Sequence, residues 1–290
     1  MNDTSTQLLI IDPQNDFCDL PPAWCPTDPL SWSERAPALP VAGAHADMLR
    51  LAALVREGGE RIDKIAVTLD SHHRVDIAHP PFWRRADGSA VAPFTTITAA
   101  EVRAGAYAPR DPTALRRVLA YLDELEARGR YTLMVWPVHC EIGTWGHNVH
   151  AELKSALAAW EESRLAAVQT VTKGENPWTE HYSAVQAEVP DAADPATQLN
   201  RALIAELDRA ATLLVGGEAS SHCVRATVEH IAANLPSRDP AKIVLLTDCM
   251  SAVAGFEREA DTFLADMRAR GVHLATSAQA LELLRAGASV

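Results

Sequence analysis

Short apolar runs recur along the chain, and each is continuous rather than alternating with polar residues. Six such runs occupy residues 7–11, 64–69, 131–136, 169–172, 212–216 and 242–247. Continuous apolar runs of this length are typical of parallel strands that are covered on both faces. The pattern therefore predicts six strands of one buried, mostly parallel sheet.

Helical spacing fills most of the intervals between these runs, with apolar residues three or four positions apart. The spacing is carried by Leu49, Ala52 and Val55, by Leu115, Val118 and Leu122, by Leu153, Leu157 and Trp160, by Leu199, Leu203 and Leu207, and by Val224, Val228 and Ile231. Alternating strands and helices predict right-handed crossovers and helices on both sides of the sheet. We expect an α/β protein with a three-layer α/β/α, Rossmann-like fold and a mostly parallel six-stranded sheet.

Two stretches interrupt this alternation. Residues 18–40 are rich in Pro and Trp, and residues 82–130 begin with a segment of Pro, Gly and Thr that has weak periodicity. Neither resembles a flexible Gly/Ser linker. We interpret them as long ordered loop insertions within a single domain spanning residues 1–290, and we expect them to cover the mouth of the functional site.

Composition narrows the classes of partner. The 290 residues include 26 basic and 38 acidic ones, a formal net charge of −12, which argues against binding a nucleic-acid backbone. The N-terminal residues do not resemble a signal peptide, and no apolar stretch is long enough for a membrane span. Five cysteines, an odd number, fit a reduced compartment. We expect a cytoplasmic homo-oligomer with a small-molecule partner and neither nucleic acid nor membrane.

Chemically active side chains follow five successive predicted strands. In chain order they are Asp12, then Asp70 with His72, then His139, Lys173 and Cys223. Because the carboxyl ends of parallel strands meet at one edge of a sheet, we expect these groups to lie together there. Their joint placement is more informative than any one of them.

Cys223 stands where a helix is predicted to begin, after a turn that contains Gly216 and Gly217. Backbone N–H groups at a helix N-terminus favour a thiolate and can hold an oxyanion during acyl transfer. Asp12 could act as general base, and the Lys173 cation would lower the pKa of the Cys223 thiol. The structural alternatives are a small core residue for Cys223, a helix cap or paired acid for Asp12, and an exposed lysine.

A metal site is indicated by Asp70, His72 and His139, with His79 as a weaker fourth ligand. Residues i and i+2 of an extended segment project to the same side, so Asp70 and His72 can share one ion. Histidines with one carboxylate suit Zn²⁺ first, and Mn²⁺ or Fe²⁺ as alternatives. Three other histidines are interpreted as polar core or surface residues, namely His73, His147 and His181.

Three motifs carry a resemblance to a known family. Residues 9–17 (LIIDPQNDF), 136–140 (WPVHC) and 219–224 (ASSHCV) resemble the opening motif, the metal segment and the nucleophile turn of the nicotinamidase/pyrazinamidase branch of isochorismatase-like hydrolases. They occur in the family's order and span most of the chain.

The resemblance implies a role for each matching residue. It implies a triad of Asp12, Lys173 and Cys223, one divalent metal ion on Asp70, His72, His139 and His79, and an oxyanion hole at the amides of Ala219 and Cys223. It also implies a cis peptide before Ala219, aromatic substrate walls at Phe17 and Trp136, and a further pocket position at His222. The expected reaction is hydrolysis of a nicotinamide-like carboxamide to the acid and ammonia through a thioester.

Departures from the family pattern leave the substrate open. Glu218, Ser221 and Trp145 replace residue types that are common at these positions, and the two insertions exceed those of compact relatives. Another small amide or a carbamoyl or ureido compound is the enzymatic alternative, and a non-catalytic binding homologue is the non-enzymatic one. Isochorismate ether cleavage is disfavoured because that branch lacks the cysteine. A redox pair of Cys223 with Cys140 or Cys249 is a minor alternative.

Overall fold

The computed structural model describes residues 5–287. The strands are β1 (Thr6–Ile11), β2 (Lys64–Asp70), β3 (Trp83–Arg85), β4 (Thr95–Ile97), β5 (Tyr107–Pro109), β6 (Leu133–Val135), β7 (Gln169–Lys173), β8 (Thr212–Gly217), β9 (Ile243–Leu246) and β10 (His273–Ala275). The helices are α1 (Ala44–Gly58), α2 (Ala99–Arg103), α3 (Leu115–Arg128), α4 (Ala151–Arg164), α5 (Arg201–Leu207), α6 (Cys223–Asn234), α7 (Glu257–Ala269) and α8 (Ser277–Ala286). Within this described part of the chain, no helix is both long enough and apolar enough to cross a membrane.

Six strands form the central sheet in the order β10-β9-β8-β1-β2-β7, and every neighbouring pair is parallel. Strand β1 lies at the centre, between β2 and β8. The register of β2 with β7 sets Asp70 directly beside Lys173. This confirms the predicted α/β class and the six-stranded parallel sheet.

Side chains of β1 alternate between two hydrophobic cores. Leu8 and Ile10 pack into a core with α1, α4 and α8, whereas Leu9 and Ile11 pack into a core with α5, α6 and α7. All four side chains are fully buried. A continuous apolar run is what a strand needs when helices cover both of its faces, so the strand pattern and the three-layer architecture have one cause.

The prediction that residues 131–136 form a strand of the central sheet is wrong. Only Leu133–Val135 is extended, and it pairs antiparallel with β4 in a separate two-stranded sheet. The place beside β2 is taken by β7, and the sixth strand is β10, which the sequence pattern did not predict.

The range 82–130 is also more regular than a loop. It contains β3, β4, β5, α2 and α3, which enclose a third hydrophobic core with Trp83, Ile97 and Val118 at its centre. By contrast, the range 18–40 contains one 3₁₀ turn at Pro22–Trp24 and is otherwise irregular. The five helices predicted from apolar spacing are all present, and α7 and α8 were not predicted.

Candidate active site

Four strands of the central sheet bring chemically active side chains to its carboxyl edge. Asp12 directly follows β1, Asp70 ends β2, Lys173 ends β7, and Cys223 opens α6 after β8. One carboxylate oxygen of each aspartate and the Cys223 sulfur lie within 4.8 Å of one another. The structure thus gathers these predicted residues into one buried cluster.

Lys173 links the members of this cluster. Its Nζ lies 3.0 Å from Asp12 Oδ2, 2.8 Å from Asp70 Oδ1 and 3.6 Å from Cys223 Sγ. It also donates a hydrogen bond to the carbonyl oxygen of His181, at 2.9 Å. Because its side chain is 1% exposed, the alternative of an exposed strand-end lysine does not apply.

Asp12 is held in place from both its backbone and its side chain. Its N–H donates to the backbone oxygen and to Oγ1 of Thr68, at 3.2 and 3.1 Å, and the Thr68 hydroxyl donates back to Asp12 Oδ1. The residue has φ +46°, a left-handed conformation that is uncommon for a non-glycine residue. Such backbone outliers concentrate at functional sites, where the surrounding structure compensates for their strain.

Proton affinities in the cluster follow from burial and from the three charges. Burial raises the pKa of Asp12 above its ordinary value, and Lys173 offsets this in part. Burial acts to lower the pKa of Lys173, but Asp12 and Asp70 outweigh it, so that pKa lies well above its ordinary value. Lys173 is therefore a fixed cation, and Asp12 is a carboxylate able to accept a proton.

The expectation that Lys173 lowers the pKa of Cys223 overall is corrected. Burial raises the pKa of the Cys223 thiol well above its ordinary value, and the opposing effect of Lys173 does not compensate because Asp12 and Asp70 act in the same direction as burial. The sulfur therefore carries its proton at neutral pH and needs a base to remove it.

A tight turn places Cys223 at the start of α6. Gly217 has φ +121°, and a Cβ there would lie 2.0 Å from the carbonyl oxygen of Ile11, so only glycine fits. The peptide between Glu218 and Ala219 is cis. Among the hydrogen bonds of residues 5–287, the N–H groups of Ala219 and Cys223 have no acceptor.

Beside this cluster, three histidines and Asp70 converge on one point. One ring nitrogen each of His72, His79 and His139 lies within 4.8 Å of the other two. Asp70 Oδ2 lies 3.1 Å from His72 Nε2 and 3.4 Å from His139 Nε2. His72 Nε2 is buried, and apart from this contact with Asp70 no hydrogen-bond partner reaches it within the described chain.

Hydrogen bonds at Nδ1 orient each of these three rings. Nδ1 of His72 lies 3.1 Å from Asp76 Oδ2, that of His79 3.2 Å from the His73 carbonyl oxygen, and that of His139 2.8 Å from the Pro137 carbonyl oxygen. Nε2 of His72 and Nε2 of His139 face Asp70, and Nε2 of His79 lies 3.2 Å from Nδ1 of His139. An acceptor at Nδ1 is a usual feature of histidines that ligate a divalent metal through Nε2.

The proton affinity of His79 supports the same interpretation. Burial, together with the neighbouring His139, lowers the pKa of His79 to about 2, so the ring is neutral at physiological pH. A metal ligand must be in this neutral form. Three imidazole nitrogens and one carboxylate thus form a donor set that fits a divalent ion.

Cys223 lines a pocket that is predominantly apolar. Its walls include the predicted Phe17, Trp136 and His222, along with Ala219 of the turn. Leu39, from the 18–40 insertion, also lines it.

Four further residues of the site were missing from the sequence prediction. Glu180 lines the pocket with an unpartnered Oε2, and burial raises its pKa to about 7. Tyr182 also lines the pocket, and its hydroxyl accepts the Trp136 indole N–H at 3.0 Å. Asp76 orients His72, and Asp16 accepts the Cys140 N–H at 2.7 Å and thereby fixes the metal segment. Only the tertiary contacts of these four residues distinguish them from other residues of the same type.

The histidines interpreted as structural remain outside the metal cluster. His147 Nε2 lies 2.8 Å from Ser71 Oγ, and His181 Nδ1 accepts the Gly174 N–H at 3.2 Å. His73 is exposed. None of the five cysteines, all of which lie in the described chain, forms a disulfide.

Comparisons with known proteins agree with this fold. Neither a protein-family model nor a curated protein sequence matches the chain. Solved structures do: a yeast nicotinamidase bound to the inhibitor nicotinaldehyde has a TM-score of 0.61 and 17% identity, and covers 93% of this chain and 99% of its own.

Two further nicotinamidase-type structures resemble the chain over nearly its full length. The Acinetobacter baumannii nicotinamidase/pyrazinamidase has a TM-score of 0.60 at 18% identity, covering 97% of this chain and 100% of its own. The Pyrococcus horikoshii pyrazinamidase, solved in complex with zinc, has a TM-score of 0.53 at 17% identity, covering 94% and 99%. The chain therefore has the fold of these nicotinamidases and pyrazinamidases.

Proposed function

We propose that the protein is a cysteine amidohydrolase that converts a small aromatic carboxamide, of the nicotinamide type, into its acid and ammonia. The observation that carries the proposal is the buried cluster of Asp12, Lys173 and Cys223 at the floor of an aromatic pocket. A nucleophile, a base and a cation within contact distance are the groups that acyl transfer through a thioester needs.

Asp12 starts the reaction by taking the proton of the Cys223 thiol, and Lys173 stabilises the resulting negative charge. The pKa of Asp12, raised by burial, makes it a stronger base than an exposed aspartate. The thiolate then adds to the carboxamide carbon, a C–S bond forms, and negative charge develops on the carbonyl oxygen. The free N–H groups of Ala219 and Cys223 are the donors for this oxyanion.

Protonated Asp12 next returns its proton to the leaving nitrogen, so that the C–N bond breaks and ammonia departs. A water molecule then attacks the thioester, with Asp12 again accepting a proton, and the acid and the free thiol result. Phe17 and Trp136 hold the ring of the substrate between them, and His222 bounds the pocket on a third side. One carboxylate thus serves as acid and base in both halves of the reaction.

We propose that Asp70, His72, His79 and His139 hold one divalent ion, with Zn²⁺ as first choice and Mn²⁺ or Fe²⁺ as alternatives. When bound, the ion supplies a Lewis acid beside the pocket that can anchor a ring nitrogen of the substrate. Without the ion, burial acts to lower the pKa of His72. Asp70 and Asp76 outweigh this effect of burial and hold the pKa of His72 well above its ordinary value. Metal binding must therefore displace a proton, and affinity should rise with pH.

Replacement of the nucleophile tests the proposal. Ammonia release from nicotinamide, pyrazinamide and ureido compounds is measured for the wild type, Cys223→Ala and the control Cys25→Ala, whose sulfur lies outside the pocket. We expect Cys223→Ala to fall to the background rate with an unchanged circular dichroism spectrum, and Cys25→Ala to match the wild type. Turnover that survives in Cys223→Ala would contradict the mechanism. Preference for a ureido compound would redirect the substrate assignment.

A further inference from the structure

A second groove, whose lining residues differ from those of the catalytic pocket, lies along the 82–130 insertion. It is lined by Arg74, Arg84 and Arg110, with Ser89 and Pro81 among the residues between them. It shares no lining residue with the pocket above Cys223. Three guanidinium groups around one concavity are unusual in a chain whose formal net charge is −12.

The strand pairing of the insertion explains why two of these arginines converge. Strands β3 and β5 are antiparallel, with Arg84 opposite Ala108, and the Arg110 N–H donates to the Phe82 carbonyl oxygen at 2.8 Å. Arg84 and Arg110 are therefore diagonal neighbours on one face of the pair. Successive residues of a strand alternate between faces, so Arg85 projects from the opposite face, and it does not line the groove.

Arg74 reaches the groove from the segment that carries His72 and His79. Its guanidinium is 68% exposed and lies 3.3 Å from Glu141 Oε2, a distance that leaves most of its N–H donors free. Within residues 5–287, neither Arg84 nor Arg110 forms an ion pair. The groove therefore holds three cationic side chains and a single neighbouring carboxylate partner.

Local charge differs in sign from that of the whole chain. Residues 74–110 contain five arginines and three acidic residues. Of the carboxylates near the groove, Asp87 accepts hydrogen bonds from Ser89, at 2.9 and 2.6 Å, and Asp111 accepts them from Thr113, at 2.9 and 2.6 Å. Each is thus engaged in its own turn instead of pairing with an arginine.

We propose that this groove is a binding site for a small phosphate-type polyanion, either inorganic phosphate or diphosphate or the phosphate group of a small ester. Arginine presents a planar fork of donors that matches phosphate oxygens bidentately. Two unpaired guanidinium groups and a third that is only partly paired favour a ligand with two or more negative charges over a monocarboxylate. The net charge of −12 opposes nucleic acid as the source of the phosphate.

Calorimetric titration of the full chain with diphosphate, inorganic phosphate and ribose 5-phosphate, at low ionic strength, tests the site. The variants are Arg84→Gln and Arg110→Gln, and the matched control is Arg85→Gln, which removes the same charge from the other face of β3. Loss of a charge-assisted hydrogen bond is expected to weaken binding by about tenfold or more in the first two variants and by less than about twofold in the control. Circular dichroism checks that each variant is folded.

Binding of any of the three ligands with this dependence on Arg84 and Arg110 supports the proposal, and the tightest of them identifies the source of the phosphate. Absence of wild-type binding at millimolar ligand would overturn it. Equal weakening in Arg85→Gln would also overturn it, because the anion would then be attracted only by diffuse charge. None of these outcomes depends on amide hydrolysis, since the groove and the catalytic pocket share no residue.

Discussion

The candidate metal site depends, at the scale of single residues, on which ring nitrogen carries the proton. Asp76 accepts from Nδ1 of His72 and so leaves Nε2 facing Asp70. A hydrogen-bonded carboxylate of this kind fixes the ring and raises the basicity of the ligating nitrogen. Asp76 is fully buried and forms no contact with the pocket, so its effect on the site passes through His72.

Asp76→Asn should therefore weaken metal binding while leaving the donor set intact. We expect a loss of about 10- to 100-fold in Zn²⁺ affinity, measured by competition with a chromophoric chelator. Asp87→Asn, on the exposed turn after β3, is the control and should bind as the wild type does. Equal affinity in Asp76→Asn and the wild type would show that His72 needs no negatively charged partner at Nδ1.

Lys173 offers a second test at this scale, because it neutralises two buried carboxylates. Lys173→Met would leave Asp12 and Asp70 without their cation, and breaking a buried ion pair in this way costs about 3–5 kcal/mol. Lys64→Met removes a pair with Glu206 whose members are 51% and 31% exposed, and should cost about 0–1 kcal/mol. Urea denaturation at pH 8 measures both, and similar losses would contradict the assignment of Lys173 as a buried charge.

Residues at strand ends were predictable from the sequence, whereas their partners were not. Asp12, Asp70 and Lys173 each directly follow or end an apolar run, so strand periodicity alone located them. Glu180 and Asp76 lie in irregular segments, and only the folded chain brings them to the pocket and to His72. The pKa of Cys223 was mispredicted for a related reason, since burial is a property of the fold rather than of the motif.

The turn after β8 governs the site at the scale of structural elements. Gly217→Ala would set a Cβ 2.0 Å from the Ile11 carbonyl oxygen at φ +121°, and we expect a loss of more than about 4 kcal/mol or failure to fold. Gly271 also has positive φ, +91°, but a Cβ there meets no atom within 4 Å, so Gly271→Ala should cost about 1–2 kcal/mol. Urea unfolding of the two variants separates the clash from the backbone preference, and equal losses would show that the close approach has no cost.

Strand membership in a sheet was the least predictable property of the elements. The apolar run at 131–136 looks like the other buried strands, yet it pairs with β4 of the insertion, while the three-residue β10 completes the sheet. Periodicity identifies a buried extended segment but carries no information about its partner. His139 nevertheless reaches the site, because the chain after β6 returns to it and the Asp16 carboxylate fixes the adjacent Cys140 N–H.

At the scale of the whole molecule, the two insertions at residues 18–40 and 82–130 contribute to the site. Leu39 of the 18–40 insertion lines the pocket, and the Phe94 ring of the 82–130 insertion lies 6.0 Å from the ring of Trp136. The sheet supplies the cluster of Asp12, Lys173 and Cys223, whereas these segments shape the pocket above it. Substrate selectivity in the proposed reaction is therefore expected to respond to changes in the insertions more than to changes in the sheet.

The stability of the whole chain should depend on pH through its buried carboxyl groups. Burial raises the pKa of Glu188 from 4.5 to about 7, with Arg130 offsetting it in part. Between these values the folded protein retains a proton that the unfolded chain has released, so the contribution of Glu188 to the free energy of unfolding is fully present below pH 4.5 and is lost as the pH rises through 7.

Glu188→Gln removes this contribution and should become more stable relative to the wild type by about 3 kcal/mol between pH 4.5 and pH 7.5, as followed by urea denaturation. In this variant, stability still decreases in part as the pH rises, because the pKa of Glu180 is also raised to about 7. Glu206→Gln is the control of opposite sign. The pKa of Glu206 is lowered, first by its hydrogen bond with Lys64, so its small contribution is present above pH 4.5 and is lost as the pH falls. A stability difference between wild type and Glu188→Gln that does not change with pH would show that Glu188 is ionised in the folded protein, held by Arg130.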